Sequence, residues 1–162
     1  MGRTEKKILG NNAAKIINIL KKSYCDEVQI FHYFWYVGLN MEGIGLLTYA
    51  AALETKDTGE LIHAELLAAR ISELGEREIR NPAESTKYST IRPLDPAKHL
   101  TVRAAERSMQ FEDKAVENYN NLAKKALELG DYVTHNLATT ILTDEVKDEQ
   151  HTVDILKLLE VK

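Results

Sequence analysis

Four stripes of apolar residues at helical spacing run through this chain of 162 residues, parted by a short break, a long one and another short one. Residues three and four apart share a face of a helix, so stripes of this period predict amphipathic helices, each with a side to bury. The first stripe, Ile16, Ile17, Leu20, Tyr24, Phe31 and Phe34, predicts a helix over 12–39, with Asn11-Asn12 as its N-cap. Asn40 to Gly43 break it. A second helix is predicted over 44–74, with Gly75 as its C-cap; Gly59 weakens it without ending it. Residues 75–96 hold Asn81-Pro82, Ser85, Thr86, Ser89, Arg92-Pro93 and Asp95-Pro96, turn formers and helix breakers that mark a long crossover. Third and fourth helices follow over 97–129 and 131–160, linked at Gly130-Asp131. Tight links make antiparallel neighbours, and the long link makes the second and third helices parallel. The expected fold is all-α: one domain over 1–162, a four-helix bundle of two antiparallel hairpins joined by a long crossover. Helices of about thirty residues span about 45 Å.

Composition narrows the function. A net charge of −4 argues against a dedicated nucleic-acid binder. The start, Met1 to Lys7, carries charges with no apolar core after them, unlike a secretory signal. The stretch from Ile30 to Leu53 is apolar, but His32, Asn40, Glu42 and three glycines interrupt it, so no membrane span is expected. Cys25 is the single cysteine, which excludes a disulfide framework or a cysteine zinc site and fits a cytoplasmic location.

Acids stand where apolar residues belong. Glu27 falls in the stripe Leu20, Tyr24, Phe31, Phe34, where a lone carboxylate is costly to bury without a partner or a metal. Glu60 and His63 form a Glu-x-x-His motif, with both side chains on one side of the second helix. Glu60 follows Glu27 by 33 residues, which places the two at similar height in a tight hairpin. The second hairpin repeats the spacing: Glu112 lies among Ala105, Met109, Val116 and Tyr119, and Glu145 comes 33 residues later, followed by Asp148. Phe34 and Tyr119 each stand seven residues past the first acid of their hairpin. The arrangement reads as a pseudo-twofold centre for two divalent ions. Hard cations take oxygen donors, and bridging carboxylates neutralise them.

These residues resemble the ferritin-like superfamily, and within it the Dps-like miniferritins with a bacterioferritin-type di-iron site. The resemblance covers nearly the whole chain. It is most specific over Cys25-Asp-Glu27-Val-Gln-Ile-Phe-His-Tyr-Phe-Trp-Tyr-Val-Gly-Leu-Asn-Met-Glu-Gly43, over Glu60 to Leu74, and at Ile141-Leu-Thr-Asp-Glu145. It implies two irons per chain, ferroxidase activity on Fe(II) with peroxide or oxygen, iron storage, and a homo-oligomeric cage, a dodecamer by family expectation. Glu27, Glu60, His63, Glu112 and Glu145 then take the catalytic and ligand roles by position. The fourth helix departs from the family: Asp148 stands where a second His is expected, and Asp148-x-x-His151 is the shifted alternative. Glu145 with Asp148 keeps the 33-residue symmetry. Five carboxylates and one imidazole make a hard, anionic pocket, which favours ferric iron or admits manganese. Leu61 stands where a bacterioferritin carries a haem-ligating Met, so no haem is expected.

Alternatives remain: a rubrerythrin-like peroxidase or manganese/iron oxidase that stores no mineral, and a structural or DNA-protecting assembly. Cys-x-x-Cys is absent from the sequence, which weakens the rubrerythrin version. Arg3, Lys6 and Lys7 form a basic start too short to predict DNA as a partner. His32, His99 and His135 read as structural or surface residues. The run Phe31 to Tyr36 is aromatic on every side of its helix, so one face is expected to meet another subunit.

Overall fold

The computed structural model describes residues 1–42, 49–79, 81–91 and 101–160. Among these residues there are six helices and no strand: α1 (Arg3–Leu9), α2 (Asn12–Asn40), α3 (Ala50–Glu73), α4 (Pro82–Tyr88), α5 (Thr101–Glu128) and α6 (Tyr132–Glu160). The four long helices form the expected all-α bundle: α2 packs along α3 and α5 along α6, and the hairpins meet through α2 with α5 and α3 with α6. The expected starts of the second and third helices, 44–48 and 97–100, lie outside the described residues, as does His99. No described helix is long and apolar enough to cross a membrane.

The glycines after the second and third bundle helices explain the sharp stops. Gly75 (φ +89°) and Gly130 (φ +80°) are left-handed, where a side chain would be strained. Each lets the chain fold back on the last turn: Glu76 N–H donates to the Ile71 carbonyl at 3.1 Å, and Asp131 N–H to the Ala126 carbonyl at 2.8 Å.

Two expectations change. Asn11 stands in helical backbone with no side-chain cap, in the turn that follows the left-handed Gly10 (φ +50°) between α1 and α2; the Asn12 amide instead reaches the Leu129 carbonyl at 3.5 Å. The crossover also contains a helix. Asn81-Pro82 reads as a breaker, but proline disrupts a helix only from its interior. At the first position its missing N–H costs nothing, and here Asn81 Oδ1 caps Ala83 N–H at 3.0 Å.

The core falls into two apolar halves. One holds Ile16, Leu20, Leu67, Ile71, Leu122 and Ile141, the other Ile30, Phe34, Leu53, Ala105 and Phe111. Buried acids lie between them at 27, 60, 112 and 145. Two polar clamps hold the frame around that belt. Arg70, buried on α3, donates to Asp131 at 2.9 and 3.0 Å, to Thr134 Oγ1 at 2.9 Å, to Glu73 at 2.9 Å and to Glu5 of α1 at 2.7 Å. Asp131 in turn accepts the Thr134 N–H at 2.9 Å and so caps α6. On the other flank, Asp26 of α2 accepts from Ser89 Oγ (2.7 Å), Thr90 N–H (2.6 Å), Thr90 Oγ1 (2.8 Å), Ile91 N–H (3.3 Å) and Asn118 Nδ2 (3.3 Å). One carboxylate thereby ties the crossover to α2 and α5.

Hydrogen bonds to a charged group contribute about 1.5–3 kcal/mol each, and they do not add in full within one network. Asp26→Ala is expected to lower stability by about 2–4 kcal/mol in denaturant unfolding, and Asp26→Asn by less, because the amide oxygen still accepts. Equal unfolding midpoints for Asp26→Ala and the wild type would show that the crossover is held by its apolar contacts alone.

Candidate metal centre

Each long helix contributes its carboxylate from the middle of an apolar stripe, so burial of the stripes carries the acids inward. Glu27, Glu60, His63 and Glu145 come together: one ligand atom from each lies within 4.8 Å of all the others. His63 Nδ1 is 2.9 Å from Glu145 Oε1, 3.6 Å from Glu60 Oε2 and 3.8 Å from Glu27 Oε2. The other Glu27 oxygen, Oε1, accepts a short hydrogen bond from the Tyr119 hydroxyl.

Five buried atoms in this cluster have no hydrogen-bond partner: Glu27 Oε2, Glu60 Oε2, His63 Nδ1 and both oxygens of Glu145. The His63–Glu145 approach is close in distance yet not aligned as a hydrogen bond. A buried polar atom without a partner costs about 1–3 kcal/mol, so five facing one another call for a shared partner. Three carboxylates and one imidazole fit a hard or borderline divalent cation such as Fe(II) or Mn(II).

The other two expected ligands stand differently. Glu112 is buried, but its Oε1 accepts from the Lys56 ammonium at 2.6 Å. Asp148 is partly exposed; its Oδ1 lies 3.6 Å from Lys56 Nζ, and its backbone carbonyl accepts from the same ammonium at 3.3 Å. The Phe34 ring lies beneath Nζ, 5.7 Å away at its centroid. Lys56 itself is only 3% exposed. His151 is exposed and outside the cluster, His32 is exposed, and His135 Nδ1 pairs with the Ala123 carbonyl at 2.9 Å.

Lys56 and Asp26 are the polar residues that sequence reasoning missed. A signal for Lys56 was present: Leu53, Lys56, Glu60, His63 and Leu67 share one helical face, and a lysine on a buried face needs an anion. Asp26 carried no comparable signal.

Electrostatics follow from the crowding. Burial pushes the Glu60 carboxyl well above its usual range, and the charge of Glu27 adds to this. Burial also raises Glu27, against the opposing pull of His63. Glu145 is pushed up to about 8 by burial and by Glu60, with His63 opposing. Glu112 is pushed up to about 8 by burial, with Lys56 opposing. Burial alone would depress His63, but Glu145, Glu27 and Glu60 outweigh it and push the imidazole up to about 12.

Two long helical hairpins, a crossover and buried acids on all four helices between two apolar halves define a ferritin-like bundle. The chain belongs to the ferritin-like domain family, whose model matches residues 17–161. No curated protein matches the sequence. Among solved structures, a dodecameric thioferritin, the bacterioferritin-related protein from Bacteroides fragilis, superposes with a TM-score of 0.91 at 24% identity, covering 98% of this chain and 95% of that one. Antigen TpF1 from Treponema pallidum gives 0.87 at 21% identity, over 91% of this chain and 95% of that one. Dps from Thermosynechococcus elongatus gives 0.84 at 17%, over 88% and 90%. At these identities the likeness is one of fold, and that fold is shared with the Dps-like miniferritins.

The raised groups set a pH dependence for the metal-free protein. Between the ordinary glutamate value of 4.5 and about 8, the folded state keeps protons on Glu112 and Glu145 that the unfolded chain releases. His63 acts in the same direction above 6.5. Stability therefore falls as pH rises through this window. Calorimetry should give a lower Tm at about pH 8 than at about pH 5, and Mn(II) should restore the loss at the higher pH by replacing the protons. A metal-free Tm that rises across the window would mean that the carboxyls are ionised in the fold.

Proposed function

We propose that this protein is an iron-oxidising, iron-storing miniferritin, with Fe(II) entering the bundle at Glu27, Glu60, His63 and Glu145. The carrying observation is the set of five unpartnered buried atoms converging on one point. Fe(II) is the substrate. The oxidant is peroxide or oxygen; with peroxide, two Fe(II), one peroxide and two protons give two Fe(III) and two waters. The carboxylates favour the ferric product by charge, since each added positive charge gains more from three acids than from neutral donors. The Tyr119 hydroxyl holds Glu27 in place through its outer oxygen. Raised carboxyls hold protons that incoming metal displaces, so uptake releases protons inside the bundle.

Storage requires a closed assembly. The Bacteroides fragilis thioferritin is dodecameric, and this chain has the surface to join copies of itself: Trp35, Tyr36 and Leu39 stand exposed along α2. Exposed apolar residues in series suit an interface more than solvent. The protein acts in this reading as a cytoplasmic homo-oligomer that removes Fe(II) and peroxide together.

A second reading, an oxidase that turns over without storing mineral, draws support from Lys56, whose positive charge stands inside the belt and opposes the passage of further cations. Metal-free protein loaded with excess Fe(II) under peroxide and passed through gel filtration separates the two. Iron far above two per chain in the large-assembly fraction is the expected result, and a plateau at two or below favours the oxidase. Glu60→Ala and Glu145→Ala should each slow Fe(II) oxidation by at least about tenfold, the rate equivalent of about 1.4 kcal/mol. Unchanged oxidation in both variants would place the reaction elsewhere in the molecule.

A further inference from the structure

We infer that the centre holds one metal ion per chain, and that the Lys56 ammonium stands in the place of a second. The inference rests on the metal-centre reading above and concerns how many ions that centre takes.

Two halves of the belt are related by a constant offset of 85 residues: Glu27 with Glu112, Phe34 with Tyr119, and Glu60 with Glu145. The same offset pairs His63 with Asp148 and Lys56 with Ile141. Symmetry breaks at these last two pairs together. The first hairpin carries both the imidazole of His63 and the ammonium of Lys56. The second hairpin carries a carboxylate, Asp148, at the position matching His63, and the buried, uncharged Ile141 at the position matching Lys56. The added anion and the added cation meet across the bundle, Lys56 Nζ to Asp148 Oδ1 at 3.6 Å. They form a complementary change whose charges cancel.

The hydrogen-bond inventory agrees. Among the described residues, the unpartnered buried side-chain oxygens and nitrogens of the belt belong to Glu27, Glu60, His63 and Glu145. Glu112 contributes none, and Lys56 donates to its Oε1 at 2.6 Å. The ammonium is itself well served, by Glu112, by the Asp148 carbonyl and carboxylate, and by the face of Phe34. A cation that binds oxygen donors at this distance occupies the coordination space a metal would need. A second divalent ion would have to displace a buried ammonium or lie against it, and like charges in a dry interior repel strongly. One ion and one ammonium also leave redox consequences. A single Fe(II) yields one electron, so the second electron that takes peroxide to water comes from another Fe(II).

Manganese(II) titration under anaerobic conditions tests this, because the ion binds without oxidising or mineralising. The metal-free assembly is titrated by equilibrium dialysis, and the ions lost in Glu60→Ala define those belonging to the centre. Wild type is expected to hold one, with the six-line electron paramagnetic resonance signal of an isolated ion. Lys56→Met, which keeps the stem and removes the charge, is expected to hold two, with that signal replaced by the broad spectrum of a coupled pair. Two coupled ions in wild type would overturn the inference while leaving the centre intact. One isolated ion in both wild type and Lys56→Met would also overturn it, since Lys56 would then not be what excludes the second. No centre-bound ion in wild type would instead sink the metal-centre reading, and the inference with it. Lys56→Gln repeats the comparison if Lys56→Met does not fold, and the wild-type count stands without either variant.

Discussion

Four glutamates buried at one level of a helical bundle are the constraint to which everything else answers. Glu27, Glu60, Glu112 and Glu145 are each 1–2% exposed, and an ionised carboxylate taken from water costs several kcal/mol even after the protein relaxes. The fold meets this cost in four ways. Burial raises the carboxyls toward their protonated form, the Lys56 ammonium donates to Glu112, His63 sits amid three acids, and the Tyr119 hydroxyl bonds Glu27. What remains is a group of polar atoms that water does not reach and no side chain satisfies. A divalent cation removes both the charge excess and the missing bonds, so metal binding and stability are the same free energy here.

A belt of that kind needs rigid walls. The two apolar halves above and below it supply the packing, and the polar clamps add directional bonds to it. Arg70 gathers α1, α3 and the start of α6 around one guanidinium, whose planar fork fits Asp131 with two bonds. The left-handed glycines at 75 and 130 end the helices at fixed points, so the heights of Glu60 and Glu145 are set by where their helices stop and start. The centre is thus placed by residues far from it along the chain.

The sequence carried the helices and the level of the acids because both obey periodic rules. Hydrophobic spacing exposed the four long helices, and the 33-residue separations placed Glu27 beside Glu60 and Glu112 beside Glu145. What it concealed has a common cause: short-range ambiguity resolved by distant contacts. α1 is charged and brief, and it is held by burial of Leu9 and the ion pair of Glu5 with Arg70, neither of which is a local signal. Asn81-Pro82 suits a break as well as a helix start, and the capping bond decides. Lys56 was hidden because lysines on mixed helix faces usually extend to solvent; only the position of α5 shows that Glu112 awaits it.

Asp26 and Glu27 are neighbours in sequence, and on a helix neighbours point about 100° apart. One is bolted to the crossover through Ser89, Thr90 and Ile91, while the other aims at the metal cluster. Rotation of α2 about its own axis cannot satisfy one without dislodging the other. The crossover therefore works as a torque stop: it fixes the rotational phase of the first helix, and a shift of those three residues would turn a ligand as a key turns a bolt.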